Sequence, residues 1–340
     1  MTEDGWPAVD EVVRTVPAGT VVFGIQLPVQ SQSTIYVDGW EATAGPTELQ
    51  AVAKAAEVAG FGYVAVCDHT VIPRRLAGAM GTTWYDTMTT LGWLAGVTSR
   101  VRLLSHIYVA ALRHPLRAAK EVATLDVLSG GRALVGVGAG HVPEEFALLG
   151  APPPAGGGRS DAFADRGGAL DEAIAALARS LREEFPVLPG PRWPARDVAV
   201  APRPVQRPRP PIWVGGSSPA ALRRVAALGD GWLPQTVRRS ELREQVARLR
   251  VLRVELRGGA PLDIGGLPGT FHVGPPPDGL PRLTAAGPAD LLAANLAELT
   301  ALGCNHLQLR FPSRSCAELC DQLAAFGEEV APLVPPPPPA

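Results

Sequence analysis

The segment YVAVCDHTVIP, residues 63–73, ends an apolar run with two adjacent groups that can do acid–base chemistry. Asp68 and His69 follow the apolar residues directly. An imidazole titrates near neutrality, so a histidine here can donate a proton or hydrogen-bond a heterocycle. The alternative is structural: Asp68 caps the next segment, and His69 is an ordinary packed histidine. Spacing alone leaves both interpretations open.

A second candidate site is the stretch GGSSPAAL, residues 215–222, whose composition suits an anion. Gly215 and Gly216 let a ligand approach the backbone, and Ser217 and Ser218 bring hydroxyl groups and the first N–H groups of a helix. This combination predicts a site for a phosphate monoester. The competing interpretation is a serine-capped helix that follows a tight turn.

The elements that would position these residues alternate between apolar strands and amphipathic helices. We predict strands at 20–28, 63–69, 101–110, 132–140, 211–216, 231–235, 270–274 and 305–311. We predict helices at 47–62, 85–99, 114–131, 164–184, 218–229, 239–257, 288–303 and 315–331. Parallel strands need crossover helices, so the pattern indicates an α/β fold. Eight such units most simply close into a (β/α)8 TIM barrel with insertions.

The alternative fold is a doubly wound open sheet that binds a dinucleotide. Its glycine-rich fingerprint has one candidate, GVGAGH at residues 136–141. His141 and Pro143 stand where the two possible registers need glycine or alanine, so the fingerprint fails.

Composition limits the partners and the location of the chain. The 340 residues carry a net charge of −2, which argues against a nucleic-acid or anionic-membrane partner. No apolar run is long enough for a membrane helix, and the amino terminus lacks a signal peptide. The four cysteines suit packed thiols in a reducing cytoplasm.

We predict three regions along the chain. Residues 1–19 form a loose arm, 20–331 a single barrel domain, and 332–340 a proline-rich tail. A proline-rich excursion at about 185–210 wraps the surface of the barrel domain.

In a β/α barrel, chemistry occurs at the carboxyl ends of the strands. The polar residues expected there are Gln26, Asp68, His69, Ser105, His106, Tyr108, His141, Glu144, Glu145, Gln235, Gln308 and Arg310. They include neither a paired-histidine metal motif nor a G-x-S-x-G nucleophile, so we predict no metal site. By elimination, an organic cofactor supplies the chemistry.

Six segments together resemble the bacterial-luciferase-like flavin and deazaflavin oxidoreductases. They are FGIQLP, AEVAGFGYVAVCDHTVIP, YDTMTTLGWLAGVTSRVRL, LRHPLRAAKEVATLDVLSGGRALVGVGAGHVPEEFALLG, RPVQRPRPPIWVGGSSPAALRRVAALGDGWLP and LTALGCNHLQLRF. They span about residues 20–330. The resemblance implies a TIM barrel with insertions that binds FMN or the deazaflavin F420, and it implies a homodimer.

The resemblance also implies roles for individual residues. It assigns Asp68 and His69, as the catalytic pair, to the cofactor ring, and it implies a non-proline cis peptide near His106–Ile107 beneath that ring. The other residues assigned to the cofactor are Ser105, Gly138, Gly140, His141, Gly215, Gly216, Ser217 and Ser218. We expect His69 to be the proton donor. Asp68 points to the opposite side of an ideal strand, so it should orient a loop or a cofactor group.

Two cofactors remain open at this point. F420 has an acidic tail that needs basic residues near the mouth, and Arg74, Arg75, Arg159 and Arg166 are candidates. The composition reflects a GC-rich coding bias that is typical of actinobacteria, which often make F420. F420 is therefore the first hypothesis, with FMN as the alternative.

Each cofactor implies a different reaction with a small-molecule substrate. An F420 enzyme transfers a hydride and reduces a C=C, C=N or C=O group, here in secondary metabolism. An FMN enzyme is a monooxygenase that uses reduced flavin and O₂ and needs a separate flavin reductase. A non-catalytic cofactor-binding protein is the third hypothesis. The loop 74–84 and the proline-rich excursion depart from the family pattern, and we expect both to shape the substrate mouth.

Overall fold

The strands of the protein close into a barrel in the computed structural model, which describes residues 12–31, 33, 37–150, 162–235, 237–281 and 283–338. The strands are β1 (Val22–Gln26), β2 (Tyr63–Val66), β3 (Arg102–Tyr108), β4 (Ala133–Val137), β5 (Ile212–Gly215), β6 (Gly231–Leu233), β7 (Asp263–Val273), β8 (Ala285–Gly287) and β9 (His306–Arg310). Consecutive strands from β1 to β7 pair in parallel, β7 pairs with β9, and β9 pairs with β1. β8 pairs only with the last three residues of β7, Phe271–Val273. The predicted TIM barrel is confirmed.

Helices follow most strands and cover the outside of the barrel. They are α1 (Pro46–Val58), α2 (Ala77–Met80), α3 (Thr87–Val97), α4 (Pro115–Leu128), α5 (Pro143–Leu149), α6 (Arg166–Arg182), α7 (Pro219–Leu228), α8 (Arg239–Arg257), α9 (Ala289–Thr300) and α10 (Cys316–Ala325). β2, β4 and β5 are buried along their whole length because helices cover one side of the sheet and the barrel interior the other.

Large side chains fill the middle of the barrel. Trp213 stacks on His306 with the ring centroids 4.0 Å apart, and Tyr63 meets both rings edge-on. Gly24 makes room for Tyr63, because a Cβ on Gly24 would lie 2.0 Å from that ring. Gly231 makes room for Trp213 in the same way, with a Cβ distance of 2.3 Å. The interior is therefore packed, and only the two ends of the barrel are available for a ligand.

The amino-terminal arm closes one of these ends. The backbone N–H of Val13 donates to Asp230 at 2.9 Å, and those of Thr15 and Val16 donate to Asp263 at 3.0 and 3.3 Å. Val16 packs against the side chains that fill the barrel. The described part of the arm is thus fixed at the amino ends of β6 and β7, whereas the sequence predicted a loose segment.

β7 begins seven residues before its predicted start at residue 270. The part that pairs with β6 and β9 contains Gly265 and Gly266. A Cβ on Gly265 would lie 2.5 Å from the carbonyl oxygen of Trp232, and one on Gly266 would lie 2.7 Å from Leu307. Close packing therefore requires glycines here. Because glycine has no apolar side chain, the first part of β7 lacks the apolar pattern from which strands are predicted.

The proline-rich excursion contacts α4 and the amino end of β4. Asp126 of α4 accepts hydrogen bonds from the backbone N–H groups of Val205 and Gln206 at 2.7 and 2.9 Å. The side chain of Gln206 also donates to the carbonyl oxygen of Ala133, at the amino end of β4. This part of the excursion lies at the end of the barrel opposite the strand carboxyl ends. The expectation that it shapes the substrate mouth is wrong for these residues.

Candidate active site

Asp68 lies beyond the end of β2, in an irregular segment, and its carboxylate is fully used by protein donors. Arg113 donates to both of its oxygens at 2.7 Å, the backbone N–H of Val109 donates at 2.7 Å, and the hydroxyl of Thr87 at 3.1 Å. Asp68 is buried. It therefore fixes the segment that follows β3 and does not pair with His69.

His69 pairs with a buried glutamate. Its Nδ1 lies 3.0 Å from Oε2 of Glu145, while Oε1 of Glu145 accepts the backbone N–H groups of Thr70 and Val71 at 2.8 and 3.3 Å. Burial alone would raise the pKa of Glu145, but these hydrogen bonds outweigh burial and lower it. An ionised carboxylate only accepts, so Nδ1 of His69 carries the proton. Its Nε2 has no hydrogen-bond partner within the described ranges and is available to a ligand.

Two aromatic rings surround the imidazole of His69. The ring of Trp84 meets it edge-on at 4.6 Å, and the ring of His141 does so at 5.2 Å. Burial and the neighbouring His69 lower the pKa of His141. Trp84 is held by a hydrogen bond from Nε1 to the carbonyl oxygen of Met80 in α2, 3.2 Å away. The loop 74–84 thus covers His69, in agreement with its expected place at the mouth.

The same loop is fixed from outside by an exposed ion pair. Arg75 donates to both carboxylate oxygens of Glu144 at 2.6 and 2.9 Å. Adjacent glutamates of α5 thus hold two points of the segment after β2: Glu144 holds Arg75, and Glu145 holds His69. The sequence placed both glutamates near the site. Nothing in it indicated the partners, which lie more than 60 residues away.

Of the four arginines proposed for an acidic tail, two already have protein partners. Arg75 pairs with Glu144. Arg166 lies over the ring of Phe163 at 4.0 Å and donates to its carbonyl oxygen at 2.7 Å. Arg74 is exposed at the start of the loop, and Arg159 lies outside the described residues.

The peptide bond between His106 and Ile107 is cis, as the resemblance implied. Here the pairing of β3 with β4 shifts register between Ser105 and Tyr108. The hydroxyl of Ser105 donates to the carbonyl oxygen of Gly136 at 3.0 Å and accepts its N–H at 3.1 Å. Ser105 therefore joins two strands, and its hydroxyl has no hydrogen left to donate to a cofactor.

The side chain of Ile107 lies across the ends of β4 and β5. A Cβ on Gly138 would lie 2.7 Å from Ile107, and one on Gly215 would lie 2.1 Å from it. Gly140 has a φ of +72°, and a Cβ there would lie 2.7 Å from Val109. These three glycines were expected to contact the cofactor. Their lack of a side chain is already required by the neighbouring side chains of the protein itself. The surface they leave at the mouth consists of Ile107 and the backbone.

The predicted anion site has its free donors at the serines. Gly216 has a φ of +113°, and its N–H already donates to the carbonyl oxygen of Leu233 at 3.1 Å. The Ser217 hydroxyl accepts the N–H of Gln235 at 2.9 Å, and the Ser218 hydroxyl accepts that of Ala221 at 3.2 Å as the cap of α7. Each hydroxyl accepts, so each keeps its own hydrogen to donate. An anion would therefore bind Ser217 and Ser218, and a substitution at Gly216 would strain the backbone whatever the ligand.

The described residues contain no cluster of three or more His, Cys, Asp or Glu side chains able to hold a metal ion. All four cysteines are free thiols. Burial raises the pKa of Cys67 and Cys304 to about 12, so both remain protonated. Among the helices of these residues, none is long and apolar enough to cross a bilayer.

Two curated proteins are among those with a similar sequence. An uncharacterised protein of Mycobacterium tuberculosis is 30% identical over 294 residues, which cover 83% of this chain and 92% of that protein. The F420-dependent glucose-6-phosphate dehydrogenase of Beutenbergia cavernae is 34% identical over 201 residues, which cover 57% of this chain and 55% of that protein.

Two solved structures share the fold. The F420-dependent tetrahydromethanopterin reductase of Methanopyrus kandleri superposes with a TM-score of 0.71 at 20% identity, over 93% of this chain and 99% of that one. The oxygenating constituent of 3,6-diketocamphane monooxygenase from Pseudomonas putida, solved with FMN, gives 0.70 at 13% identity, over 94% and 100%.

A family model described as luciferase-like monooxygenase matches residues 21–301. This match covers the barrel from β1 to the last helix before β9, including the cis peptide, the His69–Glu145 pair and the serines at the start of α7. The chain therefore belongs to the luciferase-like monooxygenase family.

Proposed function

We propose that this protein is an F420-dependent oxidoreductase that transfers a hydride between F420 and a small organic substrate, reducing a C=C, C=N or C=O group. The observation that carries the proposal is the His69–Glu145 pair at the barrel mouth, with Nδ1 and Oε2 3.0 Å apart. A curated relative and a solved structure that both use F420 support the choice of cofactor. FMN-dependent monooxygenation is the alternative, favoured by the FMN-bound neighbour.

The residues at the mouth fit either cofactor. The hydroxyls of Ser217 and Ser218, with the first N–H groups of α7, suit a phosphate group. The surface formed by Ile107 and the backbone at Gly138 and Gly215 suits a flat ring. When bound, the cofactor would supply the hydride chemistry that amino-acid side chains lack.

The chain itself would supply proton transfer. Glu145 holds the Nδ1–H of His69, which leaves Nε2 to exchange a proton with the substrate. In the direction of reduction, the imidazolium form of His69, protonated on both nitrogens, gives the Nε2 proton to the atom that becomes negative; in the direction of oxidation, Nε2 of the neutral ring takes one. A positioned acid or base of this kind contributes about 10² to 10⁴ in rate. Trp84, at 4.6 Å from His69, would keep water away from the exchanging proton.

The alternatives make different demands on partners. We propose that the protein acts as a homodimer in the cytoplasm, and its four free cysteines are consistent with a reducing compartment. An F420 enzyme would need only its small-molecule substrate. An FMN monooxygenase would in addition need a flavin reductase.

The test is a titration of the purified protein with F420 and with FMN, followed by fluorescence quenching. We expect F420 to bind more tightly. Tighter binding of FMN would establish the monooxygenase alternative, and binding of neither would refute the cofactor site.

Two variants test the roles proposed for the two serines and for His69. The double variant Ser217→Ala, Ser218→Ala should weaken binding of the cofactor about tenfold or more, because it removes two donors to an anion. Ser180→Ala, at a buried serine of α6 far from the mouth, is the matched control. His69→Ala should keep cofactor binding within about tenfold and lose most of the turnover. Near-normal turnover of that variant would reduce His69 to a packing residue.

A further inference from the structure

Four polar side chains face the inside of the barrel between the stacked aromatic rings and the mouth. Successive inward-facing residues of a strand are two apart, so His106 lies above Leu104, Gln235 above Leu233 and Gln308 above His306. Gln26 lies above Gly24 in the same way. We call His106, Gln235, Gln308 and Gln26 the polar layer. It lies on the side of the filled interior that faces the mouth.

The polar layer has an unused donor and an unused acceptor. Burial lowers the pKa of His106 to about 4, so the ring is neutral at pH 7 and has one N–H. Its Nε2 lies 3.3 Å from the amide nitrogen of Gln235, which donates to it, so the ring proton is on Nδ1. Within the described part of the chain, neither Nδ1 of His106 nor Oε1 of Gln308 has a partner, and both atoms are buried.

Buried polar atoms without partners are rare, because each loses its water without a replacement. The donor at His106 and the acceptor at Gln308 both face the barrel interior, and their strands are three steps apart round the barrel, from β9 through β1 and β2 to β3. A ligand group with an acceptor and a donor of its own would satisfy both.

The charges around the layer are already balanced within the described residues. Arg113 pairs with Asp68. Arg310 lies next above Gln308 on β9 and faces two carboxyl groups: burial raises the pKa of Asp38 and of Glu41, and Arg310 opposes both shifts. The two lysines, Lys54 and Lys120, are exposed on the outer helices α1 and α4. A carboxylate or phosphate entering the layer would therefore be a buried charge without a partner, which is strongly unfavourable.

We propose that the polar layer binds an uncharged substrate group with one hydrogen-bond acceptor and one donor, such as an amide, a lactam or a hydroxy ketone, and excludes carboxylates and phosphates. Its assignment to the substrate rests on the proposed function. The layer and its preference for neutral ligands do not, because these side chains belong to the barrel with or without a cofactor.

The experiment measures calorimetric binding of two probes of the same shape, benzamide and benzoate, together with the smaller pair acetamide and acetate. Each is titrated into the full chain at about pH 7.5, with and without F420. We expect each amide to bind at least ~10-fold more tightly than its carboxylate, since one hydrogen bond is worth about a factor of ten here. The imidazole ¹⁵N signal of His106 should shift when the amide binds.

Three variants of the chain sharpen the test. Gln308→Leu removes the acceptor and should weaken amide binding ~10-fold, and Gln308→Lys should reverse the preference towards the carboxylate. Gln245→Leu is the matched control, because Oε1 of Gln245 on α8 is likewise buried without a partner but lies outside the barrel. Its binding should equal that of the wild type.

Carboxylates that bind as tightly as the amides, or amides that fail to bind, would overturn the proposal. So would a Gln245→Leu variant that loses amide binding as Gln308→Leu does. A protein that fails to bind F420 yet prefers amides would refute the proposed cofactor and leave the preference of the polar layer standing.

Discussion

Replacement of Glu145 by glutamine tests whether this buried carboxylate orients the proton donor. The glutamine keeps the shape, and its carbonyl oxygen can still accept the N–H groups of Thr70 and Val71, which lie 2.8 and 3.3 Å from Oε1. Its NH₂ group would face Nδ1 of His69 and can only donate. The ring proton must therefore move from Nδ1 to Nε2, and the charge-assisted hydrogen bond is lost.

The expected loss follows from that single bond. A hydrogen bond to a charged group contributes about 1.5–3 kcal/mol, which is about 10- to 150-fold in rate. Turnover of Glu145→Gln should fall by that factor, while F420 affinity stays within about threefold of wild type. In ¹⁵N spectra, His69 should change tautomer, a result that a purely structural role of Glu145 would not produce.

Glu144→Gln is the matched control for Glu145→Gln. Glu144 is the adjacent residue and also pairs with the segment after β2, but its partner is Arg75 and the pair is exposed. Exposed pairs contribute at most about 1 kcal/mol, so turnover should change less than about fivefold. A Glu145→Gln variant that retains both the wild-type tautomer and wild-type turnover would refute this role of Glu145. A parallel loss of cofactor affinity would instead show that Glu145 holds the loop and not the proton.

Three further predictions concern the scaffold. Asp230→Ala removes the buried partner of Arg209, whose guanidinium lies 2.5 Å away, and should lower the free energy of unfolding in urea by about 3–5 kcal/mol; a loss below about 1 kcal/mol would contradict this. Burial lowers the pKa of His306 to about 3. As the pH falls below about 6.5, this histidine is therefore protonated in the unfolded chain while it is still neutral in the folded protein. The free energy of unfolding should therefore fall by about 1.4 kcal/mol between about pH 7.5 and about pH 5.5 because of His306. In His306→Phe, the fall in the free energy of unfolding over this range should be smaller by that amount. Gly215→Ala would place a Cβ 2.1 Å from Cδ1 of Ile107 and should lower the free energy of unfolding by about 1–3 kcal/mol. Ile107→Val lacks that carbon, so adding this second change should restore most of the loss. Simple additivity of the two changes would argue against the contact.

The periodic elements of the barrel could be predicted from the sequence because their burial is uniform. β2 is an unbroken buried run, and α8 has the predicted bounds because its apolar stripe ends at a left-handed glycine, Gly258, with φ +58°. β7 could not be predicted in full. Gly265 and Gly266 are there because neighbouring strands approach too closely for a side chain, and that requirement exists only in three dimensions.

The position of the candidate site could be predicted from the sequence, but the hydrogen-bond and ion-pair partners of its side chains could not. Barrel topology brings strand ends together, so the place of His69 followed from the strand that precedes it. Its partner Glu145 is 76 residues away, and no local pattern links the two. The same holds for Asp68 and Arg113, which are 45 residues apart. The glycines of the mouth were recognised as glycines that permit a close approach, yet the group that approaches Gly138 and Gly215 is Ile107.

The arm that closes the amino end of the barrel has a consequence for the order of events during synthesis. Val13 and Thr15 leave the ribosome early, but their acceptors on Asp230 and Asp263 follow 217 and 248 residues later. Contacts of such long sequence separation form late in folding, because the intervening chain must first be ordered. Until about three-quarters of the chain has emerged, the arm has no place to bind, and the half-made barrel exposes the apolar side chains that Val16 will cover. Nascent chains that stop short of β7 should therefore depend on chaperones more than the finished protein does.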